Sequence, residues 1–316
     1  GNVDNMLVRW STQEDFSVWN PTSTNTAGDQ RLQVGTKIIT MVSAREETII
    51  STDEAIYGMT FVGGAFVFSF RLLATNAGAA GLNTMVSVDG NVFWMGKRNF
   101  FTYDGIVKEI PCPVQHFVFD RMQTRYIDKV VTGHNKKFKE ITWFYVSNEN
   151  TATTNPENDS YVTYNYAENA WTVGSMDRSV WSDSFGARTV PFAFDPDGYL
   201  YNQETGTSAD GSAMNSYIEG SPREITQNGE DLYMVDKVVP DVTMSSSTNL
   251  FLYMNTRKYP NSPETVKGPF TITSSTGKVS TRAKGRQIGL KFQSTGTTDD
   301  WTLGDFRVNS RQDGLR

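Results

Sequence analysis

Few residues in this chain are spaced for chemistry, and each candidate set has a plain alternative. Cys112 lies between Pro111 and Pro113, four residues before His116. A thiolate beside an imidazole is a familiar nucleophile, but it needs a third group to orient the base, and none is evident. Ser87-Val88-Asp89-Gly90-Asn91-Val92-Phe93-Trp94 approaches the Asp-box S-x-D-x-G-x-x-W of sialidases. Its Gly comes one position early, so a hairpin turn is the expected reading. Asp195-x-Asp197-Gly198 begins like a calcium loop, yet the twelfth position, where such a loop needs a bidentate Glu, is Gly206. It too is expected to be a turn. G-x-S-x-G, Walker-type and H-E-x-x-H patterns are absent from the sequence. The residues therefore nominate no catalytic, cofactor-binding or metal site, and no cofactor is expected.

One basic run stands apart: Lys278, Arg282, Lys284, Arg286 and Lys291. Such cations can bind phosphates, but nucleic-acid sites usually interleave them with exposed aromatics or a recognition helix. Alternation over residues 287–292 puts Ile288, Leu290 and Phe292 on one face and Lys291 on the other. A solvated or partner-facing strand is expected. Overall charge is −6, unevenly placed: residues 257–316 hold 11 Lys+Arg and 5 Asp+Glu, or +6, leaving −12 for the rest. Two surfaces with different jobs would produce this split. Cys112 is the sole cysteine, which excludes an internal disulfide, and two histidines leave little for a histidine metal cluster. No apolar run approaches the roughly 20 residues that span a bilayer, so no membrane partner is expected.

The elements that must position these residues are short strands. Aromatic residues make up 12% of the chain, and Gly, Ser, Thr and Asn punctuate it densely, while helical periodicity is almost missing. The organising stretch is residues 84–113. Apolar runs at 84–88, 91–95, 99–103 and 106–110 are separated by Asp89-Gly90, Gly96-Lys97-Arg98 and Asp104-Gly105. An Asp-Gly pair between apolar runs is a strong hairpin signal, because the tight turn needs positive φ. Four strands and three tight turns make a meander, which is the unit of a β-propeller and cannot bury both its faces alone. Similar units are expected at 36–41, 47–51, 55–60 and 61–74, and at 126–132, 140–146, 161–166 and 170–173. A fourth begins with 190–194 and 199–203. Their first strands recur at a mean of roughly 50 residues, within the propeller range.

Around these units, residues 115–122 are expected to form a brief helical turn. Trp10 and Trp19 are expected to be core anchors. The Ala-Gly-rich link at 75–82 is expected to bring backbone close to a neighbour, and the polar loop 147–160 to be exposed, mobile or interface-bound. Beyond residue 220 the candidate strands are wider apart: 233–240, 250–254, 268–272, 287–292 and 301–308. The predicted organisation is β-propeller blades over residues 1–220 and a basic C-terminal β-sandwich-like region over 221–316, or strands closing the ring. The chain opens GNVDNMLVRWS without Met, and a blade or domain is expected before Gly1.

The segments MLVRWSTQEDFSVWNP and TAGDQRL, then GNVFWMGKRNFFTYDGIVKEIPCPVQHFVFD, and the close DWTLGDFRVNSRQDGLR resemble the tail nozzle or hub proteins of short-tailed bacteriophages. These are also called DNA-stabilisation or tail tubular proteins. The resemblance implies a structural virion subunit and no enzyme. It implies a homo-oligomer, a hexameric ring below the portal and head–tail adaptor, contacts with tail fibres or a tail needle, and double-stranded DNA passing through without specific binding. A contrasting expectation is a carbohydrate-binding or carbohydrate-cleaving propeller in the tail. The first predicts rings with an axial channel, the second a closed propeller with acids and aromatics in a central pocket.

Overall fold

The Asp-Gly turns do what their chemistry requires. In the computed structural model, which describes residues 4–152, 154–225 and 231–314, Asp89 and Gly90 have φ of 50° and 88°, both in the left-handed region. They join the second and first strands of a four-stranded antiparallel meander. Among the described residues the fold is all-β apart from one short helix and brief 3-10 turns, and the chain divides into two compact units, residues 1–204 and 205–316.

The first unit opens with a two-stranded pair, β1 (Leu7–Trp10) and β2 (Gly28–Arg31). Blade one is β3 (Ile38–Ser43), β4 (Thr48–Thr52), β5 (Ala55–Phe61) and β6 (Phe68–Thr75). Blade two is β7 (Met85–Val88), β8 (Asn91–Met95), β9 (Phe100–Tyr103) and β10 (Val107–Ile110). Helix α1 (Gln115–Arg121) follows, then a 3-10 segment at Thr124–Lys129. Blade three is β11 (Val131–Asn135), β12 (Glu140–Tyr145), β13 (Ser160–Asn165) and β14 (Ala170–Ser175). A three-stranded fourth blade holds β15 (Val180–Ser182), β16 (Phe192–Phe194) and β17 (Leu200–Asn202). Each blade pairs its strands in chain order. The first strands lie side by side: β3 beside β7, β7 beside β11, and β11 beside β15. That is the inner-edge packing of propeller blades.

Both faces of blade two are buried, which explains why β8 reads apolar at four successive positions. Val92 and Trp94 pack with Ile49 and Ile56 of blade one. Phe93 and Met95 pack with Ile141, Trp143 and Val162 of blade three. Blade one buries its other face on Met6, Val8 and Leu32. Indole N–H groups tie blades two, three and four to the chain before them. Trp94 donates to the Ala77 carbonyl (2.7 Å), Trp143 to Thr84 (2.9 Å) and Trp181 to His134 (2.9 Å). The Ala-Gly link behaves as expected: a Cβ on Gly78 would come within 2.5 Å of the Asp53 backbone.

Several expectations need correction. Residues 126–132 were expected as a strand, but their first part belongs to the 3-10 segment and the strand starts at Val131. Backbone bonds from the Tyr126 N–H to the Gln123 carbonyl and from the Val130 N–H to the Ile127 carbonyl close these turns instead of a strand ladder. Residues 61–74 do not form one strand: Gly63 and Gly64 both have positive φ, and β6 starts only at Phe68. Trp10 is an anchor, lying 5.3 Å edge-on to Phe68, whereas Trp19 is exposed. The loop 147–160 is largely exposed over 148–152 and 154–155, as expected, and is tied at its base, with Asp159 accepting from the Ser147 backbone and hydroxyl at 2.8 Å each.

The second unit is a sandwich. It contains β18 (Ser216–Glu219), β19 (Arg223–Glu224), β20 (Tyr233–Val239), β21 (Val242–Met244) and β22 (Leu250–Arg257). It continues with β23 (Thr265–Ile272), β24 (Val279–Gly285), β25 (Gln287–Ser294), β26 (Trp301–Leu303) and β27 (Arg307–Gln312). One sheet runs β18-β25-β22-β23 with β19 on β25, another β24-β20-β27, and β21 pairs with β26. Leu252, Met254 and Phe292 of the first sheet meet Val235, Val238 and Ala283 of the second. The division at residues 204 and 205 lies before the expected boundary at 220, because β18 pairs with β25. The expected strand at 301–308 is two strands, β26 and β27.

Candidate functional site

A set of titratable groups gathers where blades two, three and four meet. Strand β11 ends in His134 and Asn135. The adjacent β7–β8 turn brings Asp89, the segment after β13 brings Tyr166, and the segment after β15 brings Asp183. His134 Nδ1 lies 3.5 Å from Asp183 Oδ2, and its Nε2 lies 3.4 Å from the Tyr166 hydroxyl. Asp183 is itself fixed, accepting from the Ser184 N–H at 2.7 Å and the Lys136 N–H at 3.2 Å. Tyr166 packs on Phe93 with ring centres 5.7 Å apart. Beside this set, Asn135 Nδ2 donates to Glu204 Oε1 at 3.1 Å, and Glu140 opens β12.

The electrostatics favour neutral forms. Burial lowers the His134 pKa below its ordinary 6.5 and outweighs the opposing pull of Asp183 and Asp89. Burial raises Tyr166, with Asp89 and Asp183 adding to the shift. Burial also raises Glu140, assisted by the Glu204 charge, and raises Glu204. An Asp–His–Tyr chain could in principle activate the phenol. Here the tyrosine is pushed towards its protonated form and the contacts are long, so the arrangement is better suited to joining blades than to making a nucleophile.

A pH prediction arises from the sign of the histidine shift. Because the folded state disfavours imidazolium, the unfolded chain binds more protons just below pH 6.5. Stability contributed at His134 is therefore full above 6.5 and falls as pH drops towards the lowered folded value. Glu140 and Glu204 act oppositely: with raised folded values they favour the folded state as pH falls below those values. Urea melts at about pH 7.5 and about pH 5.5 should show a smaller acid loss in His134→Gln than in the parent. An equal loss in both would remove His134 from the account.

Of the sequence candidates, Asp89 of the Ser87–Trp94 stretch joins the His134 set, and the others lie elsewhere among the described residues. Cys112 is half-buried against the blade two and three core, and burial pushes its thiol up to about 11. His116 is exposed on α1, 3.8 Å from Asp120. Asp195 accepts from the Tyr199 N–H at 2.8 Å and simply closes a turn with Gly198, as expected. Ser87 to Trp94 form the β7–β8 hairpin. Of the basic run, Arg282 and Lys284 point outward from β24, whose burial alternates strictly. Lys284 pairs with Asp313 at 2.8 Å, Arg286 lies 5.0 Å over the Tyr259 ring, and Lys291 lies 4.6 Å over Tyr217. Phe292 is buried and Ile288 and Leu290 pack beside it, while Lys291 faces the other way.

A second feature concerns apolar surface. The β5–β6 hairpin ends in a tip where Phe61 is 68%, Val62 56% and Phe66 82% exposed. The tip is ordered: the Val62 and Gly63 N–H groups both bond the Val67 carbonyl, at 2.9 and 3.1 Å. Phe61 and Phe68 meet edge to face, 5.8 Å apart. An ordered apolar cluster left in water is a mark of a contact surface.

No family model matches the chain, and no curated protein does. Among solved structures, a glycoside hydrolase shares 8% identity over 86% of this chain and 84% of its own, with a TM-score of 0.25. An exo-β-1,3-galactanase from Phanerochaete chrysosporium, bound to β-1,3-galactotriose, shares 8% identity over 85% of this chain and 80% of its own, at 0.24. Likeness this slight supports no statement about the chemistry of the chain.

Proposed function

We propose that this chain is a structural subunit of a short-tailed phage tail nozzle or hub, and not an enzyme. Copies form a ring, six in number by the resemblance, which extends the DNA channel below portal and adaptor and retains the genome until ejection. Fibre or needle proteins are the further partners, and the virion tail is its place. The observation that supports this reading is the ordered apolar tip of Phe61, Val62 and Phe66, which is open to a partner surface. A head-to-tail contact between copies closes into a ring when its rotation permits. Mass photometry of the purified chain tests this: a discrete oligomer is expected, and a monomer at all accessible concentrations would reject it.

Charge accords with a conduit. The first unit holds 16 Lys+Arg and 23 Asp+Glu, a net of −7. Cations that hold phosphates give salt-sensitive affinity, which would stall a moving duplex. The chain is therefore expected not to retard duplex DNA in a gel-shift assay at about 50 mM salt. Tight binding that weakens steeply as salt rises would count against a passive channel.

A further inference from the structure

The sandwich unit carries a cleft that the ring reading leaves unused. It lies on the outer face of the five-stranded sheet and has a volume of about 370 Å³, within the ordinary range of small-ligand sites. Leu252 and Met254 point into the core, so Tyr253 and Asn255 stand on the opposite face of β22. The register sets them among partners. Glu219, Lys291 and Tyr253 form one row across β18, β25 and β22, while Tyr217 stands opposite Gln293. Glu264 and Val266 complete the wall.

Three properties of this lining select a ligand. First, its charges cancel: Lys291 lies 3.7 Å from Glu219, and Arg257 pairs with Glu264. A strongly anionic or cationic ligand would meet no net field. Second, donors and acceptors alternate. Asn255 Nδ2 donates to Glu219 Oε1 at 2.9 Å, and Gln293 Nε2 donates to Asn215 Oδ1 at 2.6 Å. These bonds hold both amides in fixed orientations with their own carbonyl oxygens as acceptors, and Lys291 brings ammonium protons. Asn255 is almost fully buried and its amide is satisfied by Glu219, so it fixes that carboxylate at the floor of the cleft. Third, Tyr253 lines the cleft, and Tyr217, exposed on the edge strand opposite Gln293, carries the Lys291 ammonium over one ring face and leaves the other to solvent.

Fixed amides and carboxylates beside aromatic faces, with no net charge, match a neutral polyhydroxylated ring. We infer that this cleft binds a neutral saccharide. The site is in the sandwich, not in the blades, and it stands whether or not the chain forms a ring. Its role is recognition: Glu219 and Glu264 are held by Lys291 and Arg257 as hydrogen-bond acceptors.

The test titrates the full chain with neutral trisaccharides of glucose, galactose, mannose and N-acetylglucosamine, observed by saturation-transfer NMR. At least one should bind saturably, and Tyr253→Ala should weaken it about tenfold or more, equivalent to about 1.4 kcal/mol. Tyr217→Ala, on an exposed edge strand, should weaken it in the same direction and serves if the first variant fails to fold. Sialylated and sulfated saccharides form the contrasting arm. Saturable binding of none of the neutral sugars, binding of the anionic ones alone, or unchanged affinity in a folded tyrosine variant would each overturn the proposal.

Discussion

Replacing Trp143 by alanine is expected to destabilise the first unit by about 3–5 kcal/mol, the usual cost of deleting a buried aromatic. Trp143 is fully buried where blades two and three meet, with Phe100 at 4.9 Å and Trp171 at 6.3 Å between ring centres. Its indole also satisfies the Thr84 carbonyl of the neighbouring blade. A cavity there opens the seam on both sides, because no meander can hide its second face without its neighbour. Trp143→Phe keeps most of the volume and loses the bond, so about 1–3 kcal/mol is expected. Trp19→Ala, at an exposed indole, should stay within about 0.5 kcal/mol. Thermal melts should separate the three by about 10 °C between the extremes. Similar melting of Trp143→Ala and Trp19→Ala would mean that the blades do not depend on one another.

Replacing Phe61 and Phe66 together by serine is expected to dissolve the oligomer and leave the subunit folded. Burying a phenylalanine side chain contributes about 1.5–3 kcal/mol, so losing two should weaken each interface by about 10²-fold or more. Both rings are already mostly in water in the single chain, so its melting temperature should not fall. Mass photometry and a thermal melt on one preparation read the two effects separately. Loss of folding together with assembly would place these rings in the core of the subunit; assembly unchanged would remove the tip from the interface.

The parts of the fold legible in the sequence were those built from local turn chemistry. Asp89-Gly90 and Asp104-Gly105 place the turns of blade two to within a residue. The features that stayed hidden depend on distant partners. Strand β18 is exposed along its whole length and is a strand only because β25 pairs with it. Strand β15 is three residues long, too short for any period to show. Strand β24 alternates strictly in burial through Val279, Thr281 and Ala283, but Thr281 is polar and Ala283 small, so the apolar half of the period is faint beside Arg282 and Lys284. The His134 cluster was invisible for a related reason. Asp89, His134, Tyr166 and Asp183 come from three blades, and only the side-by-side packing of β7, β11 and β15 brings them together.

The central claim is that these blades build a subunit whose copies encircle a passage. Negative-stain class averages of the purified chain address it most directly. The expected result is sixfold rings with an axial opening wide enough to pass duplex DNA. Averages showing only isolated particles, at concentrations where mass photometry sees no larger species, would contradict it.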